Sequence, residues 1–155
     1  MAHETIAEFL RRNGVSFQLY RLSGSEAATV ESAARSIGCD PAMIVKNVVF
    51  VGSVGPVVVL CSGDRSVDRS KLSQVLGERV RLATREEVER LTGYAAGGVP
   101  PFCHREGVRV LADTGVTRFE EVVTSGGSSD TLIRLRTDDL IRLSGAAVHD
   151  VSKAP

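Results

Sequence analysis

Lys46 stands inside an apolar run, Ala42-Met43-Ile44-Val45-Lys46-Asn47-Val48-Val49-Phe50-Val51. Such a Val- and Ile-rich run predicts a buried strand. Alternation then puts Ile44, Lys46, Val48 and Phe50 on one face. An ammonium on an apolar face is costly unless it is paired, hydrated in a pocket or able to snorkel to the edge. Two readings follow: a cation that holds an anionic or carbonyl group of a ligand, or a snorkelling lysine on an edge strand. A second feature is the loop Gly93-Tyr94-Ala95-Ala96-Gly97-Gly98-Val99-Pro100-Pro101-Phe102. Its glycines allow backbone N–H groups to approach a ligand, and its prolines stiffen the loop. Such amides can hold a carbonyl or phosphate oxygen. The loop is neither a phosphate-binding Walker loop nor a dinucleotide fingerprint, and a plain structural turn is the simpler reading of its composition.

The remaining polar clusters carry less. Cys103-His104 suggests a nucleophile and base, but adjacent residues rarely aim at each other and no orienting acid is in view. His104 fits the mouth of a pocket. His3, His104 and His149 are far apart and show no metal-ligand spacing. Tyr20 is either a pocket wall or a core residue with a satisfied hydroxyl. Ser125-Gly126-Gly127-Ser128-Ser129-Asp130 reads as a turn whose amides and hydroxyls are able to touch a ligand.

These residues need elements to position them. Ile6, Phe9 and Leu10 predict a helix stopped at Gly14, and Phe17 to Leu22 a strand. Thr29 caps a second helix with Val30, Ala33, Ala34 and Ile37, ended by Gly38. Asp40-Pro41 turns the chain into the Lys46 strand. Gly52 to Pro56 turns it again into Val57 to Cys61, a hairpin partner. Asp68 caps a helix through Val75 and Leu76, stopped by Gly77, and Val80 to Leu82 is a short strand. Thr84 with Glu87 is a capping box for a helix to about Gly93. After the long loop to Gly107, strands are expected at Val108 to Ala112, Glu121 to Thr124 and Thr131 to Leu135. Thr137 is expected to cap a last helix with Leu140, Ile141 and Leu143. The mixed order predicts an α/β or α+β fold, not a regular βαβ repeat.

A length of 155 residues suits one compact domain with its own core, and no linker or repeat divides it. Lys and Arg number 19, as do Asp and Glu, so the formal net charge is zero. That argues against strong non-specific nucleic-acid binding, including DNA, while leaving room for a local basic patch. The N-terminal residues lack a signal-peptide pattern, and no apolar run approaches a membrane span. Cys39, Cys61 and Cys103 are odd in number and lack paired spacing, which fits a reducing cytoplasm.

Taken together, Val45-Lys46-Asn47-Val48-Val49, Leu91 to Phe102, Ser125-Gly126-Gly127 and Asp139 to Ala146 resemble the YbaK/ProX family in order and spacing, over nearly the whole chain. Its members are relatives of the editing domain inserted in bacterial prolyl-tRNA synthetases. The resemblance implies a single editing domain over residues 1–155 with a curved, barrel-like mixed sheet surrounded by helices. It implies a free-standing deacylase acting in translation fidelity. Such an enzyme cleaves the ester between a wrong amino acid and the 3′ end of a tRNA: a small residue such as Ala or Cys, on a proline tRNA or similar. It needs no cofactor, and a synthetase is a further partner. The hallmark lysine of the family matches Lys46, and its glycine loop matches Gly97 to Pro101. Lys46, Gly97 and Gly98 are therefore expected to be catalytic. Tyr20, Pro101, His104, Gly126, Gly127 and Ser128 are expected to bind substrate. Some relatives carry an acid near the position of Leu132; here Asp130 comes slightly earlier. Phe102-Cys103-His104 resembles a Phe-Gly-His variant with Cys in place of Gly. A non-catalytic tRNA- or synthetase-binding module, and a hydrolase using Cys103, remain the alternatives.

Overall fold

The computed structural model describes residues 4–155; His3 lies outside them. Helix α1 (Ile6–Arg12) leads to strand β1 (Phe17–Arg21) and helix α2 (Val30–Ile37). A 3-10 turn (Pro41–Met43) delivers the hairpin β2 (Val45–Gly52) and β3 (Gly55–Ser62). Next come β4 (Ser66–Val67), α3 (Arg69–Leu76), β5 (Val80–Leu82) and α4 (Arg85–Thr92). After the long loop follow β6 (Arg109–Asp113), a 3-10 turn (Thr114–Arg118), β7 (Glu121–Ser125) and β8 (Thr131–Arg136). Helix α5 (Thr137–Ser144) and the short strands β9 (Ala147–His149) and β10 (Ser152–Lys153) complete the order.

A five-stranded mixed sheet has the order β5-β2-β3-β6-β9, with β6 parallel to both of its neighbours. A three-stranded antiparallel sheet has the order β1-β8-β7, and β4 pairs with β10. The two larger sheets meet at one parallel bridge, Ile44 to Val123. Among the described residues no sheet closes on itself, so the expected barrel-like sheet is instead a pair of open sheets joined at a seam. The larger core draws on both sheets and on two helices: Val49 and Leu60 with Val122, Ile133 and Leu135, and Leu10 and Leu140. A second core, with Phe50, Val59 and Leu72, covers the opposite face of the five-stranded sheet. No described helix is long and apolar enough to cross a membrane.

Local chemistry sets the helix ends. Thr29 and Thr84 each form a capping box, with Ser32 and Glu87, and Asp68 caps α3. Gly38, Gly77 and Gly93 close α2, α3 and α4 in the left-handed conformation. Thr137 does not cap α5 as expected: it is the first helical residue, and its hydroxyl donates to the Phe119 carbonyl across the fold.

Gly63 is held by space. A Cβ there would lie 2.5 Å from the Pro41 carbonyl oxygen and 2.6 Å from Val30 Cγ1. Gly63→Ala is expected to lower stability by roughly 1–3 kcal/mol through overpacking, read as a fall in the urea midpoint at unchanged slope.

Candidate active site

Two cavities flank the turn between β7 and β8. The inner one, about 310 Å³, lies at the seam of the sheets. Its walls are α2 and the residues before it (Val30, Ala33), the start of β2 (Ile44 to Asn47), the glycine loop (Gly97, Val99), and the serines and Leu132 around the turn. Lys46 is the single ionisable side chain among its lining residues. The outer cavity, about 810 Å³, is lined by α1, β1, the end of α4, Tyr94, Cys103, His104 and the turn glycines. Ser128 lines both.

Lys46 is half-buried and pairs with Cys61 across the hairpin. Its Nζ donates to the Arg65 carbonyl at 2.7 Å. An ammonium has three N–H donors, so two remain for a ligand. Arg65 is itself anchored: its Nε donates to Ser152 Oγ, which donates to buried Asp113. The C-terminal segment thus fixes the carbonyl that aims Lys46.

Asn47, the next residue, was not singled out from sequence. Its Nδ2 donates to the Val99 carbonyl and to Thr124 Oγ1, both at 2.8 Å, and Thr124 Oγ1 donates to the Val45 carbonyl. A carbonyl only accepts, so the amide nitrogen faces the glycine loop. The signal for it is a second polar residue in the same apolar run.

The two loop glycines differ. Gly97 adopts φ +87°, faces open space and lines the inner cavity; its N–H makes no hydrogen bond among the described residues. Gly98 is buried, its N–H donates to the Ala95 carbonyl, and a Cβ there would lie 2.9 Å from Ser128 backbone atoms. Its amide is consumed by the turn. Of the expected pair, only the Gly97 amide is open to a ligand, while Gly98 packs the loop against the serine turn.

The other expected residues scatter. His104, Gly126 and Gly127 line the outer cavity. Pro101 is buried and lines neither. Tyr20 lines neither as well; its hydroxyl donates to Gln18 Oε1 at 2.8 Å, and Leu19 and Arg21 are the β1 residues that face the outer cavity. Asp130 accepts from Ser128 Oγ outside both cavities. Cys103 adopts φ +66°, a conformation that suits glycine. Burial pushes its thiol up to about 11, so at neutral pH it is not the nucleophilic thiolate. Burial also lowers His104, against the opposing hydrogen bond to the Pro100 carbonyl.

Residues 24–143 match the model of the aminoacyl-tRNA editing domain. The chain belongs to that family. Among relatives of this editing domain, the Multifunctional Ser/Thr-tRNA deacylase ProXp-y of Escherichia coli (strain K12) is 28% identical, over 93% of this chain and 89% of its own. The proline–tRNA ligase of Aquifex aeolicus (strain VF5) is 36% identical over 66% of this chain, which spans 18% of the ligase. A crystal structure described as a candidate trans-editing enzyme for prolyl-tRNA synthetase superposes with a TM-score of 0.84 at 36% identity. That match covers 89% of this chain and 87% of the other. The editing-domain fold of this chain is thus a mixed α/β arrangement shared with solved members.

Asn47→Ala strips the Val99 carbonyl and Thr124 of their donor. It is expected to destabilise the protein by about 1–3 kcal/mol, measured by urea unfolding.

Proposed function

We propose that this protein is an aminoacyl-tRNA deacylase that removes a small amino acid from the 3′ end of a tRNA. The observation that carries this is the inner cavity: Lys46 is its single ionisable side chain, and Gly97, whose amide is open, lines the same cavity. Family membership and relatives named as deacylases and trans-editing enzymes support the ester as substrate. The names of prolyl-tRNA ligase relatives support a proline tRNA, and they are what suggests a synthetase as a further partner. Residues near each end of the described chain pack into the two cores that flank the five-stranded sheet, Ile6 into one and Val151 into the other, which supports one editing domain along the chain.

The ester is already activated, so hydrolysis needs a placed water and a stabilised oxyanion more than a covalent nucleophile. Water oxygen adds to the acyl carbon, the bond to the ribose 3′ oxygen breaks, and a proton passes to that oxygen. The Gly97 N–H holds the carbonyl oxygen as charge develops. The two free N–H donors of Lys46 hold the carbonyl or the nearby phosphate. A contact with the substrate α-ammonium would be repulsive and is not used. No carboxylate or imidazole lines this cavity among the described residues, so the ribose 2′-OH orders the water. Val30, Ala33 and Leu132 bound the acyl room, and at about 310 Å³ it admits small side chains and excludes large ones sterically.

Lys46→Ala is expected to cut deacylation of the edited tRNA by about 10²–10³-fold, as for loss of an oxyanion donor, with an unchanged circular-dichroism spectrum. A matched variant at normal turnover would sink the assignment. Alanyl-, cysteinyl- and seryl-tRNA panels supply the substrates. Cys103→Ser, in contrast, is expected to keep most activity; complete loss would restore a thiol mechanism.

A further inference from the structure

The outer cavity is unused by the chemistry above, yet it is larger and differently built. Its volume, about 810 Å³, suits a nucleotide-sized ligand more than an amino acid side chain. Three arginines (Arg12, Arg21 and Arg105) line it against one glutamate, Glu4. Glu4 is taken by Arg12 through two hydrogen bonds of 2.7 and 2.9 Å. Arg21 and Arg105 are exposed and have no ion-pair partner among the described residues. A chain of zero net charge thus places two unneutralised guanidinium groups among the lining of one cavity. Two flat rings, Tyr94 and His104, line the same cavity, edge to face with centroids 6.5 Å apart. The Pro100 carbonyl accepts from His104 Nε2 at 2.6 Å. That nitrogen must carry the proton, and Nδ1 is left as an acceptor.

The geometry points to the outer cavity as the seat of the single-stranded 3′-terminal nucleotides of the tRNA. Tyr94 and His104 stack bases there, and Arg21 and Arg105 hold phosphates. This rests on the deacylase reading only for the identity of the RNA. Ser128, the shared wall, is where a chain occupying both rooms crosses. Gly127 packs closely on the outer side, where a Cβ would lie 3.1 Å from Ile6 and 3.5 Å from Tyr94. Aromatic stacking with guanidinium contacts to the backbone is the usual chemistry of single-strand binding.

The test is fluorescence anisotropy with a short, non-aminoacylated single-stranded RNA ending in CCA, labelled at its 5′ end. Wild-type protein is expected to bind saturably. Arg21→Ala/Arg105→Ala is expected to bind about tenfold more weakly. The slope of log affinity against log salt is expected to shrink by about 1.4, for two phosphate contacts on a single strand. Tyr94→Leu, which keeps bulk and removes the stacking face, is expected to weaken binding several-fold at an unchanged salt slope. Thermal midpoints check that each variant is folded. Equal affinity and equal salt slope in wild type and the double variant would overturn the proposal, as would wild type that fails to bind the RNA. Binding is read separately from the deacylation assay above, so a protein inactive in that assay that still binds in this pattern defeats the deacylase reading alone. An active one that binds wild-type-like without the arginines defeats the cavity assignment alone.

Discussion

The carboxamide of Asn47 joins three parts of the molecule at one point. Through one nitrogen it holds the glycine loop at Val99 and the three-stranded sheet at Thr124, from a strand of the five-stranded sheet. Those two sheets share one backbone bridge, so side-chain bonds and apolar contact must supply the rest of the joint. In the half-buried setting of Asn47, such bonds matter chiefly because leaving any of these groups unpaired is expensive. The inner cavity exists because this joint keeps the sheets and the loop at a fixed separation.

Lys46 and Asn47 divide the work on opposite sides of one strand. Asn47 builds the wall; Lys46 supplies the charge. The lysine is not left to find its own place, since the Arg65 carbonyl takes one of its protons. That carbonyl belongs to a turn tied through Ser152 to Asp113, whose carboxylate also accepts from the Gly115 and Val151 amides. A charge held this way needs little reorganisation to meet an anion, which is what the proposed stabilisation of an oxyanion requires.

Much of this was legible in the sequence where the cause is local. Caps at Thr29, Asp68 and Thr84, and glycine stops at Gly38, Gly77 and Gly93, mark helices because each acts within one turn. The β2–β3 hairpin was legible from its apolar runs and turn. The strands β4, β9 and β10 were not: each has two or three residues and owes its existence to a partner distant in the chain. At the site, the lone charge of Lys46 stood out against its apolar neighbours. Tyr20 misled because alternation says which residues share a face of β1 and not which face meets a cavity. The split between Gly97 and Gly98 was equally hidden, since only the turn back to Ala95 decides which amide is spent internally. The burial that raises the Cys103 thiol was not legible, since it comes from residues brought around it by the fold.

Gly98 touches the backbone of Ser128 and Ser129 with no side chain between them. The close packing of the glycine loop on the serine turn depends on that missing side chain. Any bulkier residue at position 98 would wedge the two apart and spoil both rooms at once.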